Sequence, residues 1–186
     1  MKADAASSPT GGVGAFERAT LAAEIHDLYD GQGDGDRLLT AFRAAALYVP
    51  FAAGDADSDH ESSAVDANDA QDQVMCSGEA DGVRWLYAFT STTELGRFAR
   101  ARAEAGTDPG WASGRIRYWT VLGSRLLDVA VPAAVAESRT PAGVAVDVGG
   151  VRPLLLPPLS GVVPDQVAVD LVDRTSGTRP RSAGEA

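Results

Sequence analysis

Residues Asp81–Glu94, DGVRWLYAFTSTTE, decide the fold. Asp-Gly is a favoured dipeptide of two-residue hairpin turns, because both central positions of a type I′ turn need positive φ. The run Val83–Thr90 alternates, with Val83, Trp85, Tyr87 and Phe89 on one face, which predicts a strand. Gln73–Ser77 supplies apolar residues before the turn for a pairing strand. Ser91-Thr92-Thr93-Glu94 then reads as a capping box, in which Ser91 caps a helix start and Glu94 reaches back. The helix runs to about Ala105, with Leu95, Phe98 and Ala99 inward, Gly96 as a weak point and Gly106 as its stop. A hairpin feeding directly into a helix points to an α+β fold.

Working outward, Leu21, Ile25 and Leu28 recur at helical spacing and predict a helix over Ala15–Tyr29, stopped near Gly31. A second helix is expected over Arg37–Ala46, with Asp34 and Asp36 satisfying its first N–H groups. Leu47–Ala52 reads as a strand with Leu47, Val49 and Phe51 on one face. Pro50 lacks an N–H, which predicts an edge position or fraying there. A loop through Pro109-Gly110-Trp111 leads to a strand over Ile116–Val121. A short helix over Ser124–Val131 is expected to be ended or interrupted by Pro132. Val144–Val148 and Leu154–Leu156 read as strands around Gly149-Gly150. Pro164–Val172 reads as a closing helix with Val163, Val167 and Leu171 as its stripe. The expectation is a single α+β domain over 13–173, with a mixed or antiparallel sheet flanked by helices. Residues 1–12 and 174–186, small and polar, are expected to be disordered.

The chain has 186 residues, with 16 Lys+Arg against 26 Asp+Glu and a net charge of −10. Hydrophobic residues make up 45%, enough for a core. One cysteine rules out a disulfide scaffold or a cysteine-based zinc cluster. The acidic balance argues against nucleic-acid and anionic-membrane binding. No apolar run approaches the ~20 residues of a membrane span, and Met1–Gly12 has no signal-peptide pattern. A cytoplasmic protein is expected. The charge is uneven: residues 54–81 carry nine acidic and no basic side chains, and the remainder is close to neutral. Within that stretch, 54–72 is expected to form an acidic loop.

Several phrases carry a family resemblance. They are Leu38-Leu39-Thr40-Ala41-Phe42 leading to Leu47-Tyr48-Val49-Pro50, Asp81–Ser91 running into a helix, and Gly143–Gly150. Together these resemble the N-terminal domain of the SseB family, named for an enhanced serine sensitivity protein. The resemblance covers most of residues 20–160. Two departures stand out. Asp147-Val148-Gly149-Gly150 replaces an Asn-Pro-Gly-like turn, and the acidic stretch has the character of an insertion. The resemblance implies an α+β domain. The family has no established enzymatic mechanism, so no catalytic residue is carried over.

Motifs for chemistry are weak. Asp55, Asp57 and Asp59 alternate as in a calcium-binding EF-hand loop, but His60 stands where the turn glycine belongs and no helices flank the segment. Asp30–Asp36 has a calcium-loop glycine at Gly35 but Ala41 at the position of the bidentate Glu, and it lacks the Lys-Ser/Thr of a phosphate loop. A capped inter-helix turn explains it better. Cys76 has no nearby cation in sequence and reads as a buried structural residue. His26 reads as a boundary residue of the first helix. Glu24 and Asp128 are carboxylates that an enzyme could use only if the fold brought them together.

Binding features are clearer. Arg97 and Arg100 lie one turn apart, Arg115 and Arg117 alternate on a strand with Trp119, and Trp111 sits in a Pro-Gly loop. Arg and Trp are enriched at binding surfaces, although Glu94 and Glu104 could pair with the helix arginines. Trp111 could equally fold back over the core. The expected function is a non-enzymatic protein-interaction module, with a protein partner and no cofactor. The alternative is a regulatory domain that binds a small molecule or metal ion. Homo-oligomerisation stays open.

Overall fold

A computed structural model describes residues 10–52, 74–106, 111 and 116–171. The order is α1 (Thr10–Tyr29), α2 (Gly35–Ala44), β1 (Ala46–Ala52), β2 (Val74–Met75), β3 (Ser77–Ala80), β4 (Val83–Ala88), α3 (Thr92–Glu104), β5 (Tyr118–Leu122), α4 (Gly123–Arg125), a π-helical turn (Leu126–Ala130), α5 (Val131–Ser138), β6 (Ala142–Val146), β7 (Leu154–Leu156) and a 3-10 turn (Asp165–Val167). This is the α+β class that the sequence indicates.

The expected turn and hairpin are present, but the pairing strand is Ser77–Ala80, and Val74–Met75 joins β1 in the other sheet instead. Asp81 and Gly82 adopt φ of 54° and 74°, and Ser77–Ala80 pairs antiparallel with β4. Beyond it the sheet is mixed. β4 pairs parallel with β6, Leu86 opposite Val144, and β6 pairs antiparallel with β7, giving the order β3-β4-β6-β7. A parallel pair needs a long crossover, here the passage through α3, β5 and the α4–α5 helical run. A second sheet has the order β2-β1-β5. The two sheets meet at one bridge, where Tyr48 and Phe89 exchange both backbone hydrogen bonds at 2.9 Å.

β4 feeds two packed regions because its side chains alternate. Leu86 and Ala88 join the main core with Leu47, Val49, Val144 and Val146 of the neighbouring strands. Phe42 of α2, and Leu126, Leu127 and Val131 of the α4–α5 run, complete it. Phe89 packs with Leu95 and Phe98 of α3 in a second cluster, against which Tyr87 and Trp111 lie.

The structure corrects or sharpens three expectations. β1 is a central strand, not an edge. Its odd residues face β5, as the bond from Phe51 N to Arg117 O shows, and Pro50 O accepts from Cys76 N on the other side. Pro50 sits between the partner at Phe89 and the partner at Met75, where no donor is required. Pro132 does not end the helix, which continues to Ser138; of the two expected outcomes the interruption is the one met, by the π turn just ahead of the proline. The π turn bonds Val131 N to Leu126 O and widens the helix where the proline ring would meet the carbonyl four residues back. The closing segment is a 3-10 turn over Asp165–Val167, broken at Ala168 by an extended ψ of 123°, rather than a continuous helix from Pro164. Val163 and Ala168 are still buried.

Boundaries shift elsewhere. α1 begins at Thr10, earlier than expected, and β5 begins at Tyr118. Asp34 caps α2 by accepting from Arg37 N at 2.9 Å, and Ser91 caps α3 by accepting from Glu94 N at 3.1 Å. Glu94 turns its carboxylate to Arg97, 2.6 Å away, rather than back to the cap.

Gly123 marks the closest approach of elements. A Cβ there would lie 1.9 Å from the Phe42 carbonyl oxygen, so α2 and the start of α4 touch through backbone. Gly123→Ala is expected to destabilise the fold by about 3 kcal/mol, the upper range of overpacking costs. Urea denaturation monitored by circular dichroism measures this.

Candidate functional site

β4 and β6 run parallel, so their carboxyl ends lie together. Ligands of open α/β sheets bind at such ends. Here a cleft of about 550 Å³ opens between those ends and α1. Ala15, Ala19 and Ala22 line the helix side. Their spacing places them on one helix face, and side chains that short leave the space unfilled.

The floor is an acid-centred clasp. Asp147, just past β6, accepts from Thr90 N at 2.9 Å and from Thr90 Oγ1 at 2.7 Å. Its own N–H donates to Ala88 O at 3.0 Å, and its φ is 51°. Asp tolerates this left-handed conformation better than most residues. The clasp ties the end of β6 to the residue that precedes the α3 cap. Burial pushes the Asp147 carboxyl above its ordinary value of 3.8. The two Thr90 hydrogen bonds oppose that rise, Glu94 adds to it, and Arg97 opposes it.

Basic groups stand on the walls. Arg18 donates to Ala46 O at 3.1 Å, with its guanidinium 4.9 Å from the Tyr48 ring centre. Arg152, on the loop after β6, donates to His26 O at 3.1 Å and pairs with Asp30 at 3.2 Å. His26 Nε2 lies 3.0 Å from Asp30, and Tyr29 Oη donates to Pro153 O at 2.6 Å. Cations suit a helix C-terminus, so this set straps the β6–β7 loop to the end of α1. The cleft therefore offers carboxylate and hydroxyl oxygens at its floor and guanidinium donors at its walls.

The sequence-predicted residues fall elsewhere. Arg97 pairs with Glu94, and Arg100 is exposed on α3. Trp111 folds back, its ring centre 6.0 Å from that of Phe98. Arg117 is exposed just before β5, and Trp119 stacks on Phe51 at 4.4 Å. Arg115, Asp55, Asp57 and Asp59 lie outside the described residues, as does the acidic segment 54–72. Glu24 and Asp128 each take a separate arginine of α2, Arg37 at 3.6 Å and Arg43 at 2.5 Å. Cys76 is half-buried between β2 and β3 and holds them to β1 and β4 through its backbone.

Of the predicted set, β5 gathers the residues with a coherent geometry. It is the outer strand of its sheet, and among the described residues nothing pairs with its far side. Arg117 O and Gly123 N bond to β1. By alternation Trp119 and Val121 also present their backbone groups to β1, and Tyr118, Thr120 and Leu122 present theirs outward. Tyr118 and Leu122 are 42% and 46% exposed, a notable apolar share for a sheet edge.

Sequence reasoning missed the cleft groups Arg18, Thr90, Asp147 and Arg152. The one local signal is Asp147 ahead of Gly149-Gly150, a pattern suited to positive φ. Its partner Thr90 is 57 residues away.

The clasp has a measurable signature. A native Asp147 pKa above 3.8 means that the folded state binds this proton more tightly than the unfolded state. Its contribution to stability therefore falls as pH rises from 3.8 through the raised native value. Asp147→Asn keeps an acceptor for Thr90 N, suits the positive φ and removes the buried charge. It is expected to be at least as stable as the parent at pH 7, with a flatter stability profile above pH 3.8. Asp147→Ala loses both bonds and is expected to cost about 1–3 kcal/mol. Thermal melts across pH 3.5–7 check both.

The family model for the SseB protein N-terminal domain matches residues 21–159. Searches of curated proteins and of solved structures return no match. The matched stretch spans α1 from Leu21 through β7, with all strands of the described residues and the floor of the cleft. The chain belongs to the SseB N-terminal domain family.

Proposed function

We propose that this chain is a non-enzymatic protein-interaction module that receives an extended segment of its partner along the outer edge of β5. The carrying observation is that edge: a five-residue strand whose outward backbone groups, at Tyr118, Thr120 and Leu122, have no pairing strand among the described residues. Strand addition draws affinity from main-chain hydrogen bonds and specificity from alternate side chains. Trp119 and the exposed Tyr118 and Leu122 supply the apolar contacts, and Arg117 supplies a charge at the entry. The acidic stretch within 54–72 gives a salt-dependent steering term for a basic partner surface.

Thr120 presents its N–H away from β1, so proline is tolerated there by the sheet but not by an added strand. Tagged parent and Thr120→Pro proteins are used for affinity capture at low and high salt, read by mass spectrometry. A stoichiometric protein held by the parent and lost with Thr120→Pro supports the reading. Equal capture by both refutes strand addition.

The cleft supports a second reading, a regulatory domain that binds a small molecule. Its size falls within the range of ligand sites, and its donors and acceptors converge on one space. A metabolite screen by thermal shift tests it. A hit that raises the parent's melting temperature by several degrees, and does nothing to Ala19→Met, places the ligand between α1 and the strand ends. A screen without hits removes this reading.

A further inference from the structure

The geometry points to a second copy of this chain as the strand that β5 receives, giving a two-fold antiparallel pair of β5 strands centred on Thr120. This rests on the strand-addition reading above, without the steering of a basic surface by the acidic stretch, and names the partner.

The edge is complementary to itself. Rotation about Thr120 sets Tyr118 opposite Leu122 of the second copy, Trp119 opposite its Val121, and Thr120 opposite its Thr120. Residues 118, 120 and 122 carry the outward N–H and C=O groups, so each faces an outward-pointing residue of the other copy. The whole five-residue strand is then used. Antiparallel pairs of this kind place hydrogen-bonded Cα atoms about 5.5 Å apart.

The side chains agree with that register. Even-numbered residues share the outer face, so the exposed Tyr118 packs beside the exposed Leu122 of the other copy and the Tyr118–Tyr48 ring pair is extended. Odd-numbered residues share the core face, where half-buried Trp119 meets half-buried Val121. Aromatic residues beside branched ones are favourable cross-strand pairs. Arg117 falls opposite Gly123, so like charges do not oppose each other between 117 and 123. The strand carries no Lys or Pro, and its register with β1 runs unbroken from Ala46↔Leu122 to Pro50↔Tyr118. Among the described residues it thus lacks the lysine, proline and bulge that keep sheet edges from pairing. The product is a continuous six-stranded sheet, β2-β1-β5 followed by β5-β1-β2, with the isologous contact of a closed dimer.

Sedimentation equilibrium of the purified full chain is the test. The expected result is a species of twice 19.2 kDa that dissociates on dilution. Thr120→Pro, checked for fold by circular dichroism, is expected to weaken association at least ~10-fold. Thr120→Cys in a Cys76→Ser background is expected to form an interchain disulfide on mild oxidation, since the paired Cα spacing is within disulfide reach. That variant decides the matter if Thr120→Pro fails to fold. A monomer at every concentration overturns the inference, as does a dimer that neither responds to Thr120→Pro nor cross-links at 120. A purified monomer that captures another protein in a Thr120-dependent way overturns the second copy alone and leaves strand addition standing. A purified monomer without such capture overturns both.

Discussion

The fold hangs on the position of β4. It is paired on both sides, by β3 in the hairpin and by β6 in parallel, and its end reaches β1 through the Tyr48–Phe89 bridge. A strand so placed has no free edge and both faces covered. Leu86 and Ala88 enter the main core, and Tyr87 with the following Phe89 enters the aromatic cluster under α3. The strict period of two makes this a rigid constraint, because a shift of one residue would exchange Leu86 and Ala88 with Tyr87 and Phe89. The turn at Asp81-Gly82 fixes that register on one side, and the clasp at Asp147 closes it on the other.

What was legible in the sequence was local. The hairpin turn, the caps at Asp34 and Ser91, and the inward set Leu95, Phe98 and Ala99 depend on residues a few positions apart. The effect of each proline depends on hydrogen bonds that its own residue type does not reveal. Pro50 is harmless in a central strand, since its missing donor falls where β1 passes from one neighbour to another. Pro132 is harmless in a helix, since a π turn precedes it. The closing stripe of Val163, Val167 and Leu171 correctly marks apolar residues at the core, but Ala168 takes an extended backbone and interrupts the helix.

The candidate site divides the same way. Arg117 and Trp119 were visible as an Arg and Trp pattern on a strand, and the structure adds that this strand is a sheet edge. Trp111 and Arg97 had the same appearance in sequence and proved to be occupied, one against Phe98 and the other by Glu94. The cleft was invisible. Its walls come from α1, the start of α3 and the loop after β6, and only the parallel pairing of β4 with β6 brings them to one place.

The Thr90 amide has an unusual dependence. It sits immediately ahead of the α3 cap, yet its acceptor is a side chain 57 residues further along the chain. The crossover between them includes α3, β5 and the whole α4–α5 run, so this one proton is shielded only when the return strand β6 is seated. Its exchange with solvent deuterium thus follows the docking of β6 rather than the integrity of the neighbouring helix. A single backbone position reports the closure of the crossover between the parallel strands β4 and β6.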